Sequence, residues 1–580
     1  MPRKYRVVDY IVERIAAIGV RHIFGVDGAN IEDLYDAAHF QLAVTAVLAK
    51  HEFSAVTMAD GYSRSGAGLG VVAATSGGGA LNLVAGLGES LASRVPLLAL
   101  VGQTASGMDG RGSFQDTSGR NGSLNAESVF SAVSLSCERV LTPADIGPAL
   151  ARAITAARTG GPAVLLLPKD IQQGYLEGMD PRMVLSDPPA IGNPRAIVPA
   201  LQGADGPVTI IAGEQVARDN ARAELEELRA ALRAQVATVP DAKDASGTPG
   251  FGSSSALGVT GVMGHPGVAE AVAGSAVCLV VGTRLSVTAR TGLDDALASV
   301  RTVSIGSAPP YVPCTHVHTD DLRGSLRMVI DALSGPGRPM GVRVPDEVLR
   351  TELTPPPWTG TGVRYRDAMA VLDDVLPDGT DIVVDAGNTG AAAIHHLPAR
   401  RDGRFVVALG MGGMGYSFGA GIGIAFGRAN RGRPVGRTVV IAGDGAFFMH
   451  GMEVHTAVQY HLPVTFILFN NNAHAMCVTR EQLFYDDLYS YNRFRASRLG
   501  SGLAAMFPGL TSVDIADLEG LAPALRTALA TDGPTVVSIE CAADEIPPFA
   551  PFLAAKATKV NVAEEDLAAA EDRTNVIAGT

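Results

Sequence analysis

Residues Gly443 to Asn472 read GDGAFFMHGMEVHTAVQYHLPVTFILFNNN, and this stretch decides the fold. An apolar strand ends in Ile441-Ala442-Gly443-Asp444-Gly445, a glycine-flanked carboxylate. A second, Val464 to Phe469, runs straight into Asn470-Asn471-Asn472. Between them lies a helix-length segment with apolar residues at Met452, Ala457 and Val458. The pattern predicts a βαβ unit, whose right-handed crossover sets the strands parallel with both C-terminal ends at one sheet edge. Ligands of open α/β sheets bind at that edge, so Asp444 and Asn471 are expected to converge. Two hard oxygen donors beside glycine backbone suit Mg²⁺ holding a diphosphate. A tight Asp-Gly turn or an Asn-rich loop explains either half alone. Both together, each at a strand end, point to a metal–diphosphate site.

The composition agrees with such a sheet. The 580 residues suffice for three or four domains. Hydrophobic residues make up 47% and aromatics only 5%, as expected of parallel strands buried on both faces. The net charge of −13 comes without any dense Lys/Arg run, so no nucleic acid partner is expected. The five cysteines form no CxxC pair, which speaks against zinc and for a reduced cytosol. Val8, Ile11, Val12, Ile15 and Ile18 make a helical stripe near the start rather than a secretory signal. No apolar run reaches membrane-spanning length, so a cytoplasmic protein with no membrane partner is expected.

Short β runs alternate with helical patterns along the chain, which predicts an α/β protein of three doubly wound parallel-sheet domains. The first spans 1–185, with strands at His22 to Val26, Val71 to Thr75, Pro96 to Val101 and Ala163 to Leu167. A Pro/Ala/Gly-rich linker over 183–206 leads to a central domain, 190–340. Its strands are Val208 to Ala212, Ala276 to Val281 and Arg301 to Ile305, with a charged helix over Ala217 to Gln235. A Pro-rich linker, Gly335 to Thr359, leads to the third domain, 360–550, and 551–580 forms an Ala/Glu-rich tail.

A second chemical feature lies in the first domain. Glu52 follows the apolar run Leu42 to Leu48 and opens a helix of small residues ending Ala59-Asp60-Gly61-Tyr62-Ser63-Arg64. Helix N-termini favour acids, so Glu52 reads either as an ordinary first-turn acid or as a buried one. The run Thr75-Ser76-Gly77-Gly78-Gly79-Ala80-Leu81-Asn82 is a glycine turn into a helix. Such a turn receives phosphate or simply allows backbones to pack closely.

Together these motifs resemble the thiamine-diphosphate-dependent decarboxylases and carboligases, most closely the large catalytic subunit of acetolactate synthase. The resemblance covers residues 5 to 550. Phe24-Gly25-Val26-Asp27-Gly28-Ala29 looks like the family's first loop, and His51-Glu52 through Arg64 like its activating-glutamate helix. Thr75-Ser76-Gly77 matches its glycine turn, with Gly78 where proline is usual. Phe114-Gln115-Asp116 resembles a Phe-Gln-Glu segment, and Leu167-Pro168-Lys169 a strand end. Gly410-Met411-Gly412-Gly413-Met414-Gly415 resembles the Gly-Met loop beside the coenzyme.

The resemblance implies a thiamine-diphosphate-binding fold. Mg²⁺ would be held by Asp444, Asn471 and the carbonyl of Ala473, with phosphates on Gly443, Gly445 and Ala446 and near Asn388 and Thr389. It also implies that Asp27, Gly28, Thr75, Gly412 and Met476 lie against the coenzyme. Glu52, from a second subunit, would bond the aminopyrimidine with a carboxyl group whose pKa is raised by burial. Met414 would bend the coenzyme, Gln115 would act beside it, and a homodimer or homotetramer would be required. Gly28, Phe114, Gln115, Lys169 and Met476 would shape the substrate pocket.

The likeness breaks down nearby. Arg480 stands where acetolactate synthases usually carry tryptophan, and suits a carboxylate or phosphate on the acceptor or else a surface salt bridge. His395-His396 reads as a proton shuttle or as solvated loop histidines. Gly261 to Gly264 and Gly282-Thr283-Arg284 resemble a site where some relatives hold FAD, while Ser304-Ile305-Gly306-Ser307 replaces the pattern usual there.

The leading expectation is a carboligase that decarboxylates a 2-keto acid, such as pyruvate, and joins the acyl unit to a carbonyl acceptor. The alternatives are a non-ligating decarboxylase or lyase, a flavin-containing oxidase, and a non-catalytic scaffold.

Overall fold

The computed structural model describes residues 5–176, 189–246, 257–334, 350–430 and 436–558. Three parallel sheets carry the chain. The first contains, edge to edge, Thr45–Leu48, His22–Val26, Gly70–Ala74, Leu97–Gln103, Pro162–Pro168 and Ser136–Arg139. The third contains Phe405–Val407, Asp381–Val384, Thr438–Gly443, Val464–Asn470, Thr535–Glu540 and Thr511–Ile515. Numbered within each domain, both follow the order 2-1-3-4-6-5. The first and third domains therefore share one topology although no repeat is legible in the sequence. The central sheet, Gln235–Thr238, Val208–Ala212, Val277–Val281, Arg301–Gly306 and Thr315–His318, runs 2-1-3-4-5. All three reverse direction between strands 1 and 3, and an open sheet binds its ligand in the crevice at that switch point.

The central strands are continuous apolar runs because helices cover both faces. Val464–Asn470, VTFILFN, is fully buried, and it pairs in register with Thr438–Gly443, so Gly443 lies opposite Phe469. The intervening segment is not one helix. Asp444–His450 and Val454–Gln459 are helical, with a tight 3₁₀ turn at Gly451–Glu453 between them. Met452, expected within one helix, is exposed on that turn.

Several expectations shift in this way. The charged helix is two helices, Glu214–Arg218 and Arg222–Leu232, followed by a strand, Gln235–Thr238. The first linker folds over Pro194–Ile197 and Val198–Gln202, whereas 183–188 lie outside the described residues. The second linker is described only from 350, and the tail is helical to 558 and outside the described residues beyond.

The first and third domains meet through the helices Glu52–Arg64 and Tyr416–Asn430. Their backbones approach closely because glycines lie at the crossing. A Cβ on Gly61 would collide with Ala420, one on Gly419 with Thr57, and one on Gly423 with Met58. Inside this seam Asp60 binds Arg64 (2.7 Å), Ser90 (2.7 Å) and the Tyr416 hydroxyl (2.5 Å). The central domain docks through Lys243, whose ammonium donates to the carbonyls of Ala393 (3.2 Å), Ile394 and Leu397 (2.5 Å).

Candidate active site

Asp444 and Asn471 leave adjacent strands, the third and fourth of the third domain's sheet, and Asp444 follows the one that borders the switch point. Asp444 Oδ2 accepts the amide of Ala473 at 3.1 Å. Its Oδ1 is buried and has no partner, and the same is true of Asn471 Oδ1. Asn471 Nδ2 donates to the Tyr365 hydroxyl at 3.1 Å. A buried acceptor left open is costly, and these two follow neighbouring strands. Burial pushes the Asp444 carboxyl up to about 6, against the amides of Gly445, Ala473 and Asn472.

Asn388 and Thr389 open the buried start of the helix Asn388–His396 in the same crevice. Asn388 points its amide hydrogens at Thr479 Oγ1 (3.4 Å) and the Glu545 carbonyl (3.5 Å), leaving Oδ1 unpartnered. Gly445 has no room for a side chain. A Cβ there would stand 2.5 Å from His474 Nδ1 and 3.3 Å from the Met414 methyl. Met414, Gly445 and His474 therefore touch, and Ala446 is buried beside them. Met476 is half-buried in the following helix, Ala475–Phe484.

The loop from Gly410 to Gly415 is held at both ends by buried carboxylates. Glu89, from the first domain, accepts the amides of Gly410 (3.2 Å), Met411 (2.5 Å) and Gly412 (3.4 Å). Asp385 accepts those of Gly415 (3.0 Å) and Ser417 (2.9 Å). Gly412 and Gly415 have φ of +66° and +87°, a region that favours glycine.

The first domain builds its own crevice. Gly28 abuts Thr75, where a Cβ would come within 2.8 Å of the threonine's, and Asp27 folds back onto the Gly28 amide at 2.7 Å. Glu52 accepts Asn82 Nδ2 at 2.9 Å, and its other oxygen lies against Gly79. Within the chain its contacts are thus to its own domain, not to the Asp444 crevice. Gln115 packs on Gly77 and is held at φ +61°. That conformation is strained for a side-chain-bearing residue and typical of functional positions.

The expected substrate-pocket residues are less uniform. Phe114 is exposed. Lys169 is not a free cation, because its ammonium binds the Glu32 carboxylate and, at 2.5 Å, the Ala29 carbonyl. Arg480 is exposed and lies 5.9 Å over the Phe552 ring. No carboxylate pairs with it among the described residues, so the salt bridge expected as its alternative role is not formed. His395 is fully buried near a helix end rather than solvated in a loop. It accepts the Leu353 amide (3.2 Å) and faces the Met263 carbonyl (3.0 Å). Both its nitrogens are engaged.

A cavity of about 540 Å³ opens where the three domains meet. Gly282, Thr283, Arg284 and Ser307 line it, as do Arg94, Arg218 and Met411. Gly261 and Gly264 pack against backbone instead. Among the described residues, no helix is long and apolar enough to cross a membrane.

Sequence reasoning missed Glu89, Asp385, Tyr365 and Glu545. Glu89 carries a readable signal, a lone acid in the helix VAGLGESLA. Tyr365 carries none, since its partner lies 106 residues away.

Comparison with known proteins agrees with this geometry. Residues 5–122 match the N-terminal TPP-binding domain of thiamine pyrophosphate enzymes, 195–333 their central domain and 385–539 their C-terminal TPP-binding domain. The chain is 27% identical over 567 residues to the acetolactate synthase large subunit of Parasynechococcus marenigrum, covering 91% of this chain and 86% of that one. It is 27% identical over 562 residues to the isozyme 2 large subunit of Escherichia coli (92% and 94% covered). It is 28% identical over 571 residues to a chloroplastic acetolactate synthase of Nicotiana tabacum (92% and 81%). With all three domains matched in order, the chain belongs to the thiamine pyrophosphate enzymes and is an enzyme of the acetolactate synthase type.

Proposed function

We propose that the protein is a Mg²⁺- and thiamine-diphosphate-dependent carboligase acting on a 2-keto acid of the pyruvate class and a carbonyl acceptor. The observation that carries this reading is the pair of buried, unpartnered oxygens on Asp444 and Asn471. Two hard oxygens at the ends of adjacent strands suit Mg²⁺, and the Ala473 carbonyl would complete the set. When bound, thiamine diphosphate supplies the electron sink for decarboxylation and for joining the acyl unit to the acceptor.

The chain's own residues bind, orient and move protons around it. Amides at Gly443, Gly445 and Ala446 and the helix start at Asn388 and Thr389 receive the diphosphate. Met414, seated on Gly445, would lie against the coenzyme, with Gly412 and Met476 alongside. Glu52 of a second copy holds and returns a proton at the aminopyrimidine, in a crevice lined by Asp27, Gly28, Thr75 and Gln115. A homodimer is then the smallest active unit, and a homotetramer pairs two of them.

The unpaired guanidinium of Arg480 favours an acceptor bearing a carboxylate or phosphate; Phe114, Gln115 and Met476 complete that pocket. Lys169 shapes it indirectly, through Glu32 and Ala29. A flavin has no part in this reading, although Gly282, Thr283 and Arg284 of the flavin-like segment line the cavity.

Incubation with Mg²⁺, thiamine diphosphate, labelled pyruvate and a panel of aldehydes and keto acids, followed by mass spectrometry, tests the reading. A product with a new C–C bond, formed best with anionic acceptors, is expected. Free aldehyde alone would assign the non-ligating decarboxylase instead.

A further inference from the structure

Tyr365 lies 106 positions before Asn471 and opens a helix, Tyr365–Val375, outside every segment singled out from the sequence. Its ring is buried and tilted against Phe469, with centroids 5.7 Å apart. Its backbone amide donates to both oxygens of Glu545 at 3.1 Å. The phenol is therefore fixed at both ends, directly behind the strand that delivers Asn471.

The direction of the hydrogen bond is what matters. An amide side chain offers an oxygen on one side and an NH₂ on the other, and only the oxygen ligates a hard cation. The Tyr365 hydroxyl oxygen carries lone pairs able to accept an amide hydrogen. It accepts from Asn471 Nδ2 at 3.1 Å. The amide's other end, Oδ1, is thereby left free of that bond, buried and unpartnered like Asp444 Oδ1.

Resting on the metal site proposed above, we infer that Tyr365 is a positioning residue, which locks the Asn471 amide with its oxygen toward the cation. Partners of this kind orient ligands before the ion arrives, and their loss typically weakens metal binding about 10–100-fold. Tyr365→Phe keeps the buried ring and removes only the acceptor.

The experiment measures Mn²⁺ affinity by electron paramagnetic resonance on the full chain with thiamine diphosphate present. Four proteins are compared: wild type, Tyr365→Phe, Asn471→Asp and the double variant. Asp at 471 presents an oxygen whichever way it turns, so it no longer needs Tyr365. The expected result is about tenfold weaker Mn²⁺ binding for Tyr365→Phe in the native background, and less than a twofold change in the Asn471→Asp background. Saturating metal should restore most of kcat to Tyr365→Phe. Unchanged affinity in the single variant overturns the inference, as does an equal loss in both backgrounds, which marks general damage. Asp444→Ala separates the two layers. If it retains Mn²⁺ affinity, the metal site itself is misplaced; if it loses affinity while Tyr365→Phe does not, only the role of Tyr365 fails.

Discussion

The Glu89 carboxylate accepts the Met411 amide at 2.5 Å, joining a helix of the first domain to a loop of the third. Gly410 and Gly412 turn their amides to the same carboxylate. Replacing it by an amide puts an NH₂ group against donors. Glu89→Gln should cost about 1–3 kcal/mol of stability. By letting the loop that carries Met414 shift, and with it the wedge proposed for that residue, it should also lower turnover by about 10²-fold. Denaturant titration and steady-state kinetics on the same preparation check both.

Glu52 is assigned a proton-handling role, so Glu52→Gln should lower turnover by about 10²–10⁴-fold. Its neighbour Asn82 still finds an acceptor in the new side chain, so thiamine diphosphate should bind with nearly native affinity. Undiminished turnover of the true substrate would remove Glu52 from the mechanism.

Asp444 titrates near 6, raised from 3.8 by burial. The stability its proton confers on the metal-free protein is complete below pH 3.8 and is lost as pH rises through about 6. The ion requires the carboxylate, so the effect of pH on metal affinity runs the other way. Mg²⁺ affinity should decline up to about tenfold per pH unit below 6, from the one-proton competition. Calorimetric titrations at pH 5.0 and 7.5, with thiamine diphosphate present, read this directly.

Glu545 is raised further, from 4.5 to about 7, chiefly by burial, with the Tyr365 amide opposing. The stability it lends is full below pH 4.5 and lost as pH rises through 7. Glu545→Gln keeps an acceptor for Tyr365 and removes the charge. Its melting temperature should therefore fall less than that of wild type between pH 6 and 8.

At the seam between the first and third domains, Gly61→Ala should cost about 1–3 kcal/mol through the collision with Ala420. Ala is otherwise the better helix residue by about 1 kcal/mol. A loss in chemical denaturation therefore reports the contact, and a gain would show that the helices can part freely.

The parts legible in the sequence are those in which one residue's surroundings lie on its own strand. Val464 to Phe469 read as a buried strand because its apolar run is unbroken, and Asp444 and Asn471 stood out because strand ends define where they point. The edge strand Ser136–Arg139 was missed because Cys137, Glu138 and Arg139 show neither alternation nor an apolar run. The site split along the same line. Asp444 and Asn471 are legible as residues at strand ends, but Glu89 lies 322 residues from Met411, a separation that no local pattern bridges. Lys169 was placed in the substrate pocket by resemblance, and its partner Glu32, 137 residues away, is equally invisible. Glu52 is a separate case, since its proposed partner belongs to another copy of the chain.

Lys243 caps the carbonyl end of Asn388–His396, the helix whose amide end opens toward the diphosphate crevice. The Lys243 side chain there satisfies carbonyls that a helix end otherwise leaves bare, while burial pushes its pKa well down. The third domain accordingly borrows its finished form from the second. Trimmed to residues 360–558, it would keep every group assigned to the cation, yet carry a frayed helix beside them. The smallest fragment that retains this site thus begins well before the domain in which the site lies.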